Sequence, residues 1–194
     1  ISLLPDEYKN VLSGIPEKMA VTIKEIRFRN SEPVTLNTGN EIYFINKNGG
    51  TTVSLCSDLI STDQKNLQEI VFCLSRRSLH TYQDMIAKGF IPLRGGCKAG
   101  VVGRAVMKNG SVYSVSSFNA VNIRISREFY GCSKDLTKQV GDNCQSFLII
   151  GTPLSGKTTL LRDLCRYYSG NSRLNPYKTA IIDERDEIAS RSFG

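Results

Sequence analysis

The chain has 194 residues, 40% of them hydrophobic and 22% charged, which suits one large or two small globular domains and excludes a low-complexity or charge-dominated chain. No apolar run approaches the roughly 20 residues that a membrane-spanning helix needs, and no stretch has the basic, apolar and small-residue order of a signal peptide. The net charge of +7 suits a nucleotide, a nucleic acid or an anionic membrane, but no dense basic tract marks a dedicated nucleic-acid face.

Residues 5–13 read as a short helix, with Pro5 in its first turn and Gly14 just past its end. Lys24 to Arg29 alternates apolar and charged residues, as a half-buried strand does. Strands are predicted over 33–36 and 41–46, joined through the turn NTGN, and over 51–55 after KNGG. Ser61 and Gln64 have capping-box spacing ahead of a helix whose Leu67, Ile70, Val71 and Leu74 form one apolar stripe. A second helix covers 82–88 and stops at Gly89. From Phe90 onward FIPLR, KAGVVGRAV, SVYSVSS and AVNIRISRE read as strands, with Asn109-Gly110 as a hairpin turn.

The polar stretch 131–144, with two glycines, reads as a linker between a domain at 1–130 and another at 145–194. A strand at 146–150, a helix at 157–168 and a strand at 179–183 then make a β-α-β unit. The fold class is α/β: an N-terminal α+β domain with an antiparallel sheet, then the first β-α-β part of a P-loop (RecA-like) core. Two strands and one helix cannot form a covered parallel sheet, so this second domain reads as truncated. The chain opens on Ile1 rather than Met and reads as lacking its first few residues. Six cysteines without a CxxC pair, beside the single His80, argue against zinc and read as reduced cytosolic thiols, several of them buried.

Between the first strand and helix of that unit, GTPLSGKT fits G-x-x-x-x-G-K-[ST]. Gly151 and Gly156 permit the torsions that turn successive amide N–H groups toward one anion, in a nucleotide-binding loop that also includes Thr152, Pro153, Leu154 and Ser155. The helix N-terminus adds its dipole and free amides. Lys157 reaches the β- and γ-phosphates of ATP, Thr158 can ligate Mg²⁺, and Thr159 extends the pattern toward the α-phosphate.

The strand TAIIDERDE brings Asp183 and Glu184 to its carboxyl edge. In one reading it is a Walker B strand, with Asp183 on the metal and Glu184 activating the water. In the other it is an earlier acidic box supplying the catalytic glutamate, with the metal-binding aspartate on a later strand. Solvated strand-end carboxylates are the bland alternative.

Several segments together resemble one family. EIRFR with Pro33 soon after, GFIPLRGGCKAGVVGRAV, VNIRISRE followed by Gly131, the phosphate loop running into TTLLRDLCR, and IIDERDEIA resemble the stage III sporulation protein AA family of endospore-forming bacteria. That family is similar to the hexameric ATPases of type II and type IV secretion and pilus systems. The resemblance implies a ring-forming ATPase motor subunit in the mother-cell cytoplasm, peripheral at the membrane facing the forespore, acting with membrane proteins of a transport channel. It implies Glu184 as catalytic glutamate beside Asp183, and a Walker B aspartate beyond Gly194, so that this chain alone would be inactive. It also implies an N-terminal domain offering arginines across a subunit boundary, with Arg124 and Arg127 first and Arg104 and Arg94 after them. Two alternatives stand beside the motor: a nucleotide-binding scaffold with little turnover, and a nucleic-acid-dependent ATPase, although no aromatic and basic interleaving suggests stable nucleic-acid binding.

Overall fold

The computed structural model describes residues 2–127, 129–140, 146–152, 155–169, 178–183 and 188. They fall into two compact units, Ile1–Leu93 with Cys97–Ser126 and Arg94–Gly96 with Arg127–Gly194.

The first unit opens with α1 (Asp6–Ser13), whose Asp6 and Glu7 complement the positive end of the helix. Tyr8 and Leu12, one turn apart, are buried. A short α2 (Glu17–Ala20) follows Pro16. The strands are β1 (Glu25–Arg29), β2 (Glu32–Pro33), β3 (Thr35–Asn37), β4 (Ile42–Ile45), β5 (Thr51–Thr52) and β6 (Ser61–Thr62). After α3 (Gln64–Leu74) and α4 (Gln83–Ala87) come β7 (Phe90–Pro92), β8 (Lys98–Lys108) and β9 (Ser111–Arg124).

Seven strands form one sheet in the order β5-β4-β3-β1-β9-β8-β7, antiparallel throughout, and β2 pairs with β6 in a small second sheet. The register places Leu36, Ile26, Ile123, Ala99 and Ile91 side by side across five strands. All five are buried. A one-residue slip in any strand would turn its members of this row to the other face, so the pattern holds the register. The stripe of α3, namely Leu67, Ile70, Val71 and Leu74, joins the same core. Gln64 ties the start of α3 to the sheet by donating to the Phe118 carbonyl at 3.0 Å. Tyr8 meets Phe28 edge-on at 5.3 Å and donates to the Ser61 carbonyl at 3.1 Å. A groove of about 890 Å³ lies between α3, α4 and β9, lined by Phe72, Leu79 and Tyr113 among others.

Several expectations are corrected here. The capping box of α3 is Asp63 with Asn66, not Ser61 with Gln64, because Ser61 is taken up in β6 opposite Pro33. The strand expected at 33–36 divides between β2 and β3, in different sheets. TTVSL contributes only Thr51 and Thr52, and Val53 and Leu55 stay exposed. The two strands expected after the hairpin are one strand of 14 residues, β9. Its outer part pairs with β8 alone, so residues 104–108 and 111–116 run past the sheet as a two-stranded ribbon. At its tip Asn109 and Gly110 have φ of 52° and 79°, the positive torsions of a type I′ turn.

In the second unit the stretch expected as a linker carries α5 (Lys134–Val140), with Ser133 and Thr137 buried. The helix after the loop is present as α6 (Lys157–Ser169). The flanking segments 146–150 and 178–183 are not strands, in contrast to the expected β-α-β unit. A parallel strand needs neighbours in its sheet and a covering layer, and among the described residues these two segments have neither. Leu148 and Ile150 are each 82% exposed and Ile182 is 93% exposed. The cysteines also differ from expectation: of the five described, Cys56 and Cys132 are exposed and Cys73, Cys97 and Cys165 half-buried. No described helix is long and apolar enough to cross a membrane.

Candidate functional site

The 151–158 loop leads directly into α6, whose hydrogen-bond ladder starts with the Leu160 amide donating to the Gly156 carbonyl at 2.9 Å. A helix leaves its first amides without intrahelical acceptors, so those of Lys157, Thr158 and Thr159 face the loop end. Gly156 has φ of 90°, a torsion that a side chain would strain. Gly151 is needed for space: a Cβ there would lie 2.5 Å from the Ser155 hydroxyl. The Ser155 amide donates to the Thr152 carbonyl at 3.3 Å and closes a turn. Across it the Lys157 ammonium donates to the carbonyls of Gly151 at 2.9 Å and Thr152 at 2.7 Å. Gly151, Thr152, Ser155, Gly156 and Lys157 are thereby gathered around one point. Thr158 and Thr159 are half-buried in the first turn of α6. Pro153 and Leu154 lie outside the described residues.

The arrangement gathers one ammonium and the first amides of a helix, a set of donors suited to an anion. A polyphosphate offers the ammonium more negative acceptors than two carbonyls do, and charge-assisted bonds are the stronger ones. The amides at the start of α6 and the helix dipole act in the same direction.

Further along α6, Asp163 organises a second set of bonds and has no obvious signal in the sequence. It lies on α6 with its side chain buried. Its carboxylate accepts from the Gly131 amide at 3.0 Å, the Ser133 amide at 2.8 Å and the Ser133 hydroxyl at 2.7 Å, and it pairs with Arg166 at 3.2 Å. Arg166 in turn stacks on the Tyr130 ring at 4.1 Å. Burial alone would push the Asp163 carboxyl up, but the bonds from Ser133, Gly131 and Cys132 outweigh it and hold the group at about 2. The Cys132 thiol, raised by burial first and then by the Asp163 charge, stays protonated and donates to the Thr159 carbonyl at 3.7 Å. Residues 130–133 are therefore strapped along the helix that begins at Lys157. The only trace of this in the sequence is Asp163 and Arg166 three residues apart. The partners at 131 and 133 are some thirty positions away.

The acidic pair is partly placed. Asp183 accepts from the Ile188 amide at 2.7 Å, and its charge, after burial, raises the Cys165 thiol on α6. Glu184 lies outside the described residues. Of the four arginines, Arg104 and Arg124 are exposed on β8 and β9, Arg94 is exposed in a 3-10 turn at Arg94–Gly96, and Arg127 is half-buried. Arg104 stands opposite Ser116, and Arg124 is eight residues further along the same strand. At the strand rise that separation is about 26 Å, so one phosphate cannot receive both.

Comparisons with known proteins agree with one another. The family model described as "Sporulation stage III, protein AA" matches residues 2–194. The chain is 37% identical over 190 residues to a protein of Bacillus subtilis (strain 168) named "Stage III sporulation protein AA". That alignment covers 96% of this chain and 57% of the relative, so the chain spans little more than half the length of the relative it matches. No solved structure matches significantly. The ordered motifs and a match running from residue 2 to 194 have one reading: the chain belongs to the sporulation stage III protein AA family.

Proposed function

We propose that this chain is the N-terminal domain and the phosphate-binding part of an ATPase motor subunit, one that couples hydrolysis of ATP to assembly or transport across the septal membranes of the sporulating cell. The observation that carries the proposal is the 151–158 loop. Its Lys157 ammonium is seated on the Gly151 and Thr152 carbonyls, beside the free amides that begin α6. ATP with Mg²⁺ fits that donor set, Thr158 being the residue to hold the metal together with Asp183. Glu184 is the proposed activator of the attacking water. By its likeness to ring-forming secretion ATPases, the subunit would act as a homo-hexamer at the mother-cell face of the membrane, with membrane proteins of the sporulation channel as partners and without stable nucleic-acid binding. The relative is longer than this chain, and we read the exposed Ile150 and Ile182 as surfaces that further strands cover.

Titration of a fluorescent ATP analogue with Mg²⁺ tests the reading. Lys157→Ala should weaken binding about ten- to hundred-fold, the range for a lost hydrogen bond to a charged group. Equal affinity of the two proteins would sink the proposal. In the full-length protein Glu184→Gln should keep binding and remove most turnover. Unchanged turnover would take the catalytic role from Glu184, and absence of turnover in the parent protein would favour the scaffold.

A further inference from the structure

The excess positive charge of the chain is concentrated. Between Asp84 and Glu128 stand seven lysines and arginines and no aspartate or glutamate. The whole chain has 25 basic and 18 acidic residues, so everything outside this stretch balances at eighteen of each. Within the stretch lies the β8–β9 ribbon, which leaves the sheet and carries apolar side chains into solvent.

The register divides the ribbon into two faces. Arg104, Val106 and Lys108 alternate on one, opposite Ser116, Ser114 and Ser111. Ala105 and Met107 lie on the other, opposite Val115 and Val112. At the tip Met107 is 59% exposed and Tyr113 47%, and Val112 is exposed beside them. The Lys108 ammonium stands 4.8 Å from the Tyr113 ring centre, so cation and aromatic ring sit at the same level.

We propose that the β8–β9 hairpin is a docking element for an anionic lipid bilayer. Met107, Val112 and Tyr113 enter the interfacial layer, and Arg104 and Lys108 meet the headgroup phosphates. A water-exposed apolar tip between cations is matched by a surface that is apolar beneath and negative on top. Nucleic acid matches less well, because its phosphates need no apolar tip and a single aromatic offers no stacking platform. A second copy docking through the same faces would bring Arg104 and Lys108 against their own equivalents. Docking requires no nucleotide and so stands or falls apart from the ATPase reading.

Co-sedimentation of the nucleotide-free protein with vesicles tests it. One set holds about 30% phosphatidylglycerol in phosphatidylcholine, and the other is phosphatidylcholine alone. The protein should pellet with the first set and not the second, and less at higher salt. Each cation near such a surface is worth about five-fold in affinity, so Arg104→Gln with Lys108→Gln should lower partitioning about thirty-fold. Met107→Ser with Val112→Ser should lower it independently while leaving the charge unchanged. All four positions are exposed, and unchanged circular dichroism and melting would show that the fold is kept. Failure of the parent protein to pellet, equal pelleting with neutral vesicles, or pelleting that neither double variant reduces overturns the proposal. So does DNA binding or self-association lost in these variants without any vesicle binding.

Discussion

The two units hold themselves together by different means. In the first, more than twenty buried apolar residues join into one cluster between the sheet and its helices. In the second, the single buried apolar residue among those described is Leu164, and the bonds that organise the unit converge on the Asp163 carboxylate. Apolar burial is non-directional and tolerates small changes, whereas a buried carboxylate depends on each donor. The first unit is thus built to withstand mutation at its surface, and the second to hinge on one side chain.

The sharpest way to break this comparison is to weaken the first unit alone. Phe28→Ala removes a fully buried ring that faces Tyr8 and should cost about 3–5 kcal/mol, read by chemical denaturation. Hydrogen exchange should accelerate in β1 and β9 while amides of 131–140 and α6 keep their protection. Loss of protection in both units together would mean that they unfold as one, and the contrast would fail.

A smaller effect is expected from the second unit. The folded-state pKa of Asp163, about 2, lies below its ordinary value, so its contribution is complete above about pH 4 and is lost as pH falls toward 2. The shift corresponds to about 2 kcal/mol. Asp163→Asn should remove a similar amount at neutral pH and flatten the acid limb of the α6 stability profile, with the sheet unaffected. An acid limb unchanged in the variant would show that another group governs it. The smallest effect belongs to the ribbon tip. Gly110→Ala has room for its methyl group but a φ of 79° to keep, at a cost of about 1 kcal/mol confined to exchange near the turn.

What the sequence shows follows the same division. EIRFR, the stripe of α3 and Asn109-Gly110 carry their structure in neighbouring residues, and each is found as read. The cap of α3 departs from the sequence pattern because Ser61 has a strand partner at Pro33, a pairing between residues almost thirty positions apart. The helix α5 buries a threonine, Thr137, and no apolar stripe, and the strap on Asp163 depends on partners some thirty positions away, so neither leaves a local pattern. The loop at 151–158 stands out in the sequence because its glycines, lysine and threonine fall at fixed spacing, and the positive φ of Gly156 agrees with that pattern. The apolar runs beside it show strand composition, but composition does not supply the neighbouring strands that a parallel sheet requires.

The length of β9 has a mechanical consequence. Its fourteen residues, at about 3.3 Å each, make a rod about 46 Å long, free at one end and clamped in the middle of the sheet at the other. No loop interrupts it, but its ladder with β8 shifts register between Val102 and Arg104 and again between Val106 and Met107. A load on the hairpin tip would travel along this ladder toward Arg124 and would be taken up first as bending at those two shifts. Three residues further on, at Arg127, the chain enters the unit that holds the 151–158 loop.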